Sequence, residues 1–185
     1  MATFDPFPSL LLSVSRNPVT SIGLPLAFGV LSGLPSATAV QGQWYKSLEF
    51  PPGGRPSNKL FPTVWPILYA GMGYASHLAV KAYDESLDSP TKEDAAYALK
   101  LYYIQLGLNF AWTPLFFVAK KPGLALIDIT ALTGTVACLT KLMHGPTNGV
   151  STYLLVPYCA WLGYATYLNA GIWWKNRTRQ IPKID

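Results

Sequence analysis

Three runs of this chain place an aromatic ring and a small polar group on one face of a helix. Gln105, Asn109, Trp112 and Phe116 recur at i, i+4, i+7 and i+11, and Trp65, Tyr69, Met72 and Ser76 follow the same spacing. Pro157, Trp161, Ala165, Leu168 and Asn169 lie near one face of a third. Each face thus combines aromatic rings with small polar groups. They suit non-covalent recognition of a flat apolar ligand, oriented by a small number of hydrogen bonds. The same residues serve equally as polar glue between helices, and spacing alone leaves both uses open.

No conventional active site accompanies them. Serine nucleophile motifs, phosphate loops and paired carboxylates are missing from the sequence, and no cofactor is called for. His77 has no second ligand at metal spacing and His144 falls in a turn, so no metal site is visible. Cys138 and Cys159 read as apolar packing residues. Asp128 stands inside an apolar run, where an acid is costly. It is a functional candidate, or it caps or pairs near a helix start.

The elements that must carry these side chains are legible from charge. Asn17 to Tyr45, Leu60 to Val80, Leu101 to Ala119 and Leu142 to Trp174 contain no Asp, Glu, Lys or Arg. Pro122 to Thr140 is broken only by Asp128. Crossing about 30 Å of hydrocarbon takes roughly 20 apolar residues at about 1.5 Å each. The expected fold is therefore an all-α membrane protein, a bundle of five transmembrane helices. Their approximate spans are 19–40, 60–82, 95–119, 123–142 and 150–174. Residues 1–17 form a leader, 18–176 the five-span domain and 177–185 a basic tail. The first loop, rich in Pro and Gly, is not expected to be helical throughout. Ser89-Pro90-Thr91 reads as a helix start.

Only 12% of residues are charged, and the net charge of +5 is spread over short loops and the tail. No aromatic-interleaved basic patch suggests nucleic acid, so the charge is a topology signal. Loops one and three with the tail hold Lys46, Arg55, Lys59, Lys120, Lys121, Lys175, Arg177, Arg179 and Lys183, nine basic residues against five elsewhere. The positive-inside rule then puts the C-terminus in the cytosol.

The stretches WYKSLEFPP, FPTVWPILYAGMGYASHLA, YYIQLGLNFAWTPLFF and PYCAWLGYATYLNAGIWWKN, in this order over residues 44–176, resemble the translocator protein family (TspO/MBR, the peripheral-type benzodiazepine receptors). That resemblance implies a five-helix bundle, often a homodimer, binding porphyrin or haem, sterols and synthetic ligands. It further implies the outer mitochondrial membrane, with the first loop folded over the pocket mouth. Matched residue by residue, the ligand-binding set is Trp65, Asn109, Trp112 and Trp161, joined by Ala27, Leu60, Leu168 and Asn169. The chain departs from the pattern where Ala170 and Trp174 replace the aromatic and the cation of the sterol motif. Leu124 replaces a Trp of several animal members. Lys100 and Ile104 replace a Gly-x-x-x-Gly, for which Gly29 and Gly33 are expected to substitute as a close-packing pair. Carriage of tetrapyrroles is the leading function implied. Light-dependent porphyrin degradation and a regulatory, ligand-sensing scaffold are the alternatives.

Overall fold

The computed structural model describes residues 9–57 and 59–179. Residues 1–8 of the expected leader and 180–185 of the expected tail lie outside them. The described chain is all-helical: α1 (Ser9–Arg16), α2 (Pro18–Ala39), α3 (Gln43–Lys46), α4 (Leu60–Glu85), α5 (Ser89–Thr113), α6 (Pro122–His144) and α7 (Val150–Asn176). The five long helices run 22 to 27 residues and match the five expected spans to within a few residues, except that α5 both begins and ends six residues early, the rest of that span being the π-turn Pro114–Val118. Among them, α2 and α6 are both long and apolar enough to cross a membrane by composition.

Local chemistry sets the helix ends. The Asn17 side chain caps α2 by accepting from Val19 N–H at 2.8 Å, with Pro18 at the first helical position. Asp88, one residue before the expected start, caps α5 by accepting from Thr91 N–H at 3.0 Å, and its carboxyl is held down to about 2 by Thr91 and Ser86. At the other end of α5, Pro114 offers no N–H to the preceding turn. The helix widens there into a π-turn, Pro114–Val118, closed by Ala119 N–H to Pro114 O. Lys120 then turns the chain at φ +52° into Pro122 of α6.

The core runs the length of the bundle through Met72, Leu99, Leu132, Leu139, Leu155 and Leu162, each at most 1% exposed. In α7 the buried line is Ser151, Leu155, Tyr158, Leu162, Asn169, Ile172 and Asn176. Pro157 is exposed, so the inner stripe of this helix is centred one residue further along than its Trp suggested.

Glycine lets α2 and α4 meet. A Cβ on Gly73 would come within 2.3 Å of Ser21 O, and one on Gly29 would run into the Tyr69 ring. Gly29 and Gly73 thus make two separate close approaches between these helices, whereas a Cβ on Gly33 would meet nothing within 4 Å among the described residues. The described part of the leader is no loose arm. Leu12 and Ser15 are 2% and 1% exposed, and Tyr103 OH donates to Leu11 O at 2.6 Å. Arg16 forks onto both oxygens of Asp84 at 2.8 Å, holding that carboxyl below its usual range. So exposed a pair contributes only about 0.2–1 kcal/mol.

Candidate functional site

Trp65 of α4 and Trp161 of α7 are brought together, ring centroids 6.4 Å apart and planes at 88°. Tyr69, one turn on from Trp65, covers one of its faces at 5.4 Å. Phe61 meets Trp161 edge-on at 5.6 Å, and Tyr158 meets Trp65 edge-on at 6.3 Å. Aromatic residues spaced three and four apart on α4 and α7 face the same gap between the helices, which is why the cluster forms. Perpendicular indoles do not sandwich a plane. They offer a face and an edge at a corner.

The Trp161 Nε1–H is buried and has no hydrogen-bond partner among the described residues. Leaving such a donor unpaired costs about 1–3 kcal/mol. Asn109 is engaged at both ends of its side chain. Its Oδ1 accepts from Tyr69 OH at 2.5 Å and its Nδ2 donates to Tyr158 OH at 2.8 Å. Tyr158 OH in turn donates to Gln105 Oε1 at 2.9 Å, and Gln105 Nε2 reaches Met72 Sδ at 3.5 Å. The chain of bonds ties α4, α5 and α7 at mid-bundle. Gln105 and Tyr158 are fully buried and Asn109 is 5% exposed, so every link replaces a water that cannot enter.

A Tyr158→Phe variant should therefore lose about 1–3 kcal/mol of stability, because it strands Asn109 Nδ2 and Gln105 Oε1 without partners. Chemical or detergent unfolding of the purified protein measures it. A neutral result would mean that the network is slack.

Trp112 and Asn169 sit in a second grouping. Trp112 Nε1–H donates to Asn169 Oδ1 at 2.9 Å, and Asn169 Nδ2 donates to Pro122 O at 2.8 Å, joining α5, α6 and α7. Trp112 also stacks on Phe116 at 5.0 Å. Its ring packs against both the main core and a smaller one of Trp44, Tyr45, Leu48, Phe116, Ala125 and Ile172. Leu168 is buried beside Asn169, whereas Ala27 and Leu60 are exposed. Asp128 is 9% exposed and its Oδ2 has no partner among the described residues, so that oxygen neither caps nor pairs. His77 Nδ1–H donates to Ser15 O at 2.9 Å, and His144 Nδ1 shares a hydrogen bond with Thr152 Oγ1, also at 2.9 Å.

Loop one, including α3, is strapped over this end. The Asn176 side chain pairs with both backbone groups of Glu49, at 3.1 and 2.9 Å. Arg179 bonds Glu49 Oε1 at 3.1 Å and Ser47 O at 3.2 Å, and Tyr167 OH donates to Pro52 O at 2.8 Å. Within the loop, Arg55 lies over the rings of Tyr45 and Phe50 at 4.9 and 4.7 Å. The sequence marked Trp65, Trp161, Asn109 and Trp112. It did not mark Tyr158, Asn176 or Phe61, although the i+4 spacing of Phe61 from Trp65 was available as a signal.

Similarity to known proteins agrees with this architecture. Residues 21–175 match the TspO/MBR family pattern. The chain is 39% identical to the translocator protein homolog of Schizosaccharomyces pombe over 159 residues, 86% of this chain and 92% of that one. It is 38% identical to the human translocator protein over 145 residues, 76% and 82% of the two chains. To the tryptophan-rich protein TspO of Chlorobaculum tepidum it is 33% identical over 148 residues, 80% and 88%. The fold, the paired helix-borne tryptophans and these matches make one conclusion: the chain belongs to the TspO/MBR family of membrane proteins.

Proposed function

We propose that this protein binds a tetrapyrrole such as porphyrin or haem at the corner formed by Trp65 and Trp161, and carries it within the membrane. The observation that carries this reading is the orphan Trp161 Nε1–H on an indole packed by the rings of Phe61, Trp65 and Tyr164. A planar ligand with peripheral oxygen acceptors would lay its ring on an indole face and accept that donor. Asn109 holds Tyr69 and Tyr158 in place, Trp112 and Asn169 with Leu168 close the side toward loop one, and Ala27 and Leu60 rim the entrance. In this reading α2, α4, α5, α6 and α7 each cross the outer mitochondrial membrane, residues 18–176 forming one five-span domain. Their 22 to 27 residues rise about 33–40 Å, enough for the hydrocarbon layer with some tilt.

Titrating the detergent-purified protein with protoporphyrin IX tests the binding. Saturable quenching of tryptophan fluorescence with a shifted Soret band is expected. Linear, unsaturable quenching would remove the pocket assignment, and a new absorbing product after illumination would assign the degrading chemistry instead. The excess of cations on loops one and three and the tail further puts the C-terminus in the cytosol. A protease site inserted after Lys183 is expected to be cut in intact organelles; protection there would reverse the topology.

A further inference from the structure

The end of the bundle that carries loop one has two recesses outside the helix core, one on each side of the Trp173 indole. One, about 420 Å³, is bounded by Pro51, Leu126, Tyr167, Ala170, Trp174 and Lys175. The other, about 560 Å³, is bounded by Lys121, Gly123, Leu124, Leu126 and Ile127. Trp173 and Leu126 line both, so the two are halves of one groove between α6 and α7. We propose that this groove binds an anionic phospholipid, with the phosphate between Lys121 and Lys175 and an acyl chain along Leu124, Leu126 and Ile127.

The groove has the two parts such a molecule needs. Its walls are apolar and open outward: Leu124 is 47% exposed, Ile127 69% and Trp174 60%. Its mouth is cationic, with Lys121 on one side, Lys175 on the other, and Arg177 stacked 3.4 Å over Trp174. Basic pockets at helix ends, flanked by interfacial Trp, are where membrane proteins take anionic headgroups. Charge is not cancelled locally. Among the described residues of loops one and three, Glu49 is the only acid, and it is bonded to Arg179. The first turn of α6 opens into the same place with no side-chain cap, and its dipole favours an anion. Gly123 admits the indole across that turn, since a Cβ there would meet Trp173 Nε1 at 2.9 Å. A sterol fits less well, because Ala170 and Trp174 supply neither the phenol nor the cation of a sterol motif. Free phosphate would leave the apolar walls unused.

Native mass spectrometry of the detergent-purified full chain tests this with dioleoylphosphatidylglycerol, dioleoylphosphatidylcholine and cholesterol as probes. Each lysine near a headgroup is worth about fivefold in affinity, so phosphatidylglycerol should be preferred over phosphatidylcholine by about 25-fold. The Lys121→Gln/Lys175→Gln pair should bring the two lipids to parity, and either single change should give about fivefold of that loss. The Lys100→Gln/Lys141→Gln pair, with the same change in charge elsewhere, should leave the preference intact. Millimolar inorganic phosphate should not displace the lipid. Equal retention of both phospholipids, an equal loss in the Lys100/Lys141 pair, displacement by phosphate, or stronger retention of cholesterol would each overturn the proposal. Porphyrin titration of the same variants checks that they are folded.

Discussion

Gly73→Ala is expected to destabilise the bundle by about 3 kcal/mol, and Gly73→Val by more. An added Cβ would lie 2.3 Å from Ser21 O and 2.9 Å from Ile22 Cα, both backbone atoms that no rotamer change can remove. The whole of α2 must then back away from α4. That movement also withdraws Gly29 from the Tyr69 ring, whose hydroxyl is committed to Asn109. The site and the helix crossing are therefore linked through one side chain. Gly134→Ala provides the contrast, since nothing lies within 4 Å of its Cβ position. There the gain in helix propensity acts alone, and stability should rise by about 0.5–1 kcal/mol. Unfolding midpoints of the two variants in one detergent decide the matter. If Gly73→Ala matches Gly134→Ala, α2 and α4 do not approach as closely as described.

How much of this was legible in the sequence follows from which forces leave a one-dimensional mark. A charge in hydrocarbon is so costly that its absence outlines a helix, and the four charge-free runs with the one broken only by Asp128 overlap the five long helices. Periodicity likewise placed Gln105, Asn109, Tyr69 and Met72 on inner faces, and all four are buried. Pairing left no such mark. Asn109 has the composition of a ligand-binding amide, yet both ends of its side chain are spent on tyrosines from two other helices. Only a structure shows that, because Tyr69 and Tyr158 are 89 positions apart in the chain. Gly33 and Gly29 looked like a pair because they share a face of α2. A close approach needs a partner at the right height: Gly29 meets Tyr69 of α4, whereas no neighbour among the described residues comes within 4 Å of a Cβ on Gly33. Residues 1–17 were set apart as a leader because Arg16 precedes the first charge-free run. Of its described residues, Leu12 and Ser15 are buried, and Ser15 is bonded to Tyr103 and His77 from distant helices. The π-turn after Thr113 was foreshadowed by Pro114, whose missing N–H could equally have ended the helix.

At Trp161, stability and affinity should move in opposite directions. Phenylalanine keeps an apolar ring against Phe61 and Trp65 but deletes the buried N–H that nothing in the described chain accepts. Without ligand, Trp161→Phe should therefore be as stable as the parent or slightly more so, since removal of an unpaired donor offsets the lost ring area. With porphyrin the sign reverses. A hydrogen bond from that N–H to a charged propionate is worth about 1.5–3 kcal/mol, so affinity should fall by about 10- to 150-fold. Trp65 is different in kind: its contribution is a ring face, half of it already covered by Tyr69. Trp65→Phe should weaken porphyrin binding only a few-fold, in line with about 1 kcal/mol for one stacked pair. The two effects act on one ligand, so the Trp65→Ala/Trp161→Ala double variant should bind worse than either single change. Thermal unfolding with and without protoporphyrin IX, run on the Phe variants, separates the two signs. A Trp161→Phe protein that keeps full affinity would leave the orphan donor without a use and move the ligand to the other grouping, around Trp112 and Asn169. There the indole N–H is already taken by Asn169, so a ligand would have to break a bond to gain one. That asymmetry is the physical reason to expect it at Trp161 first.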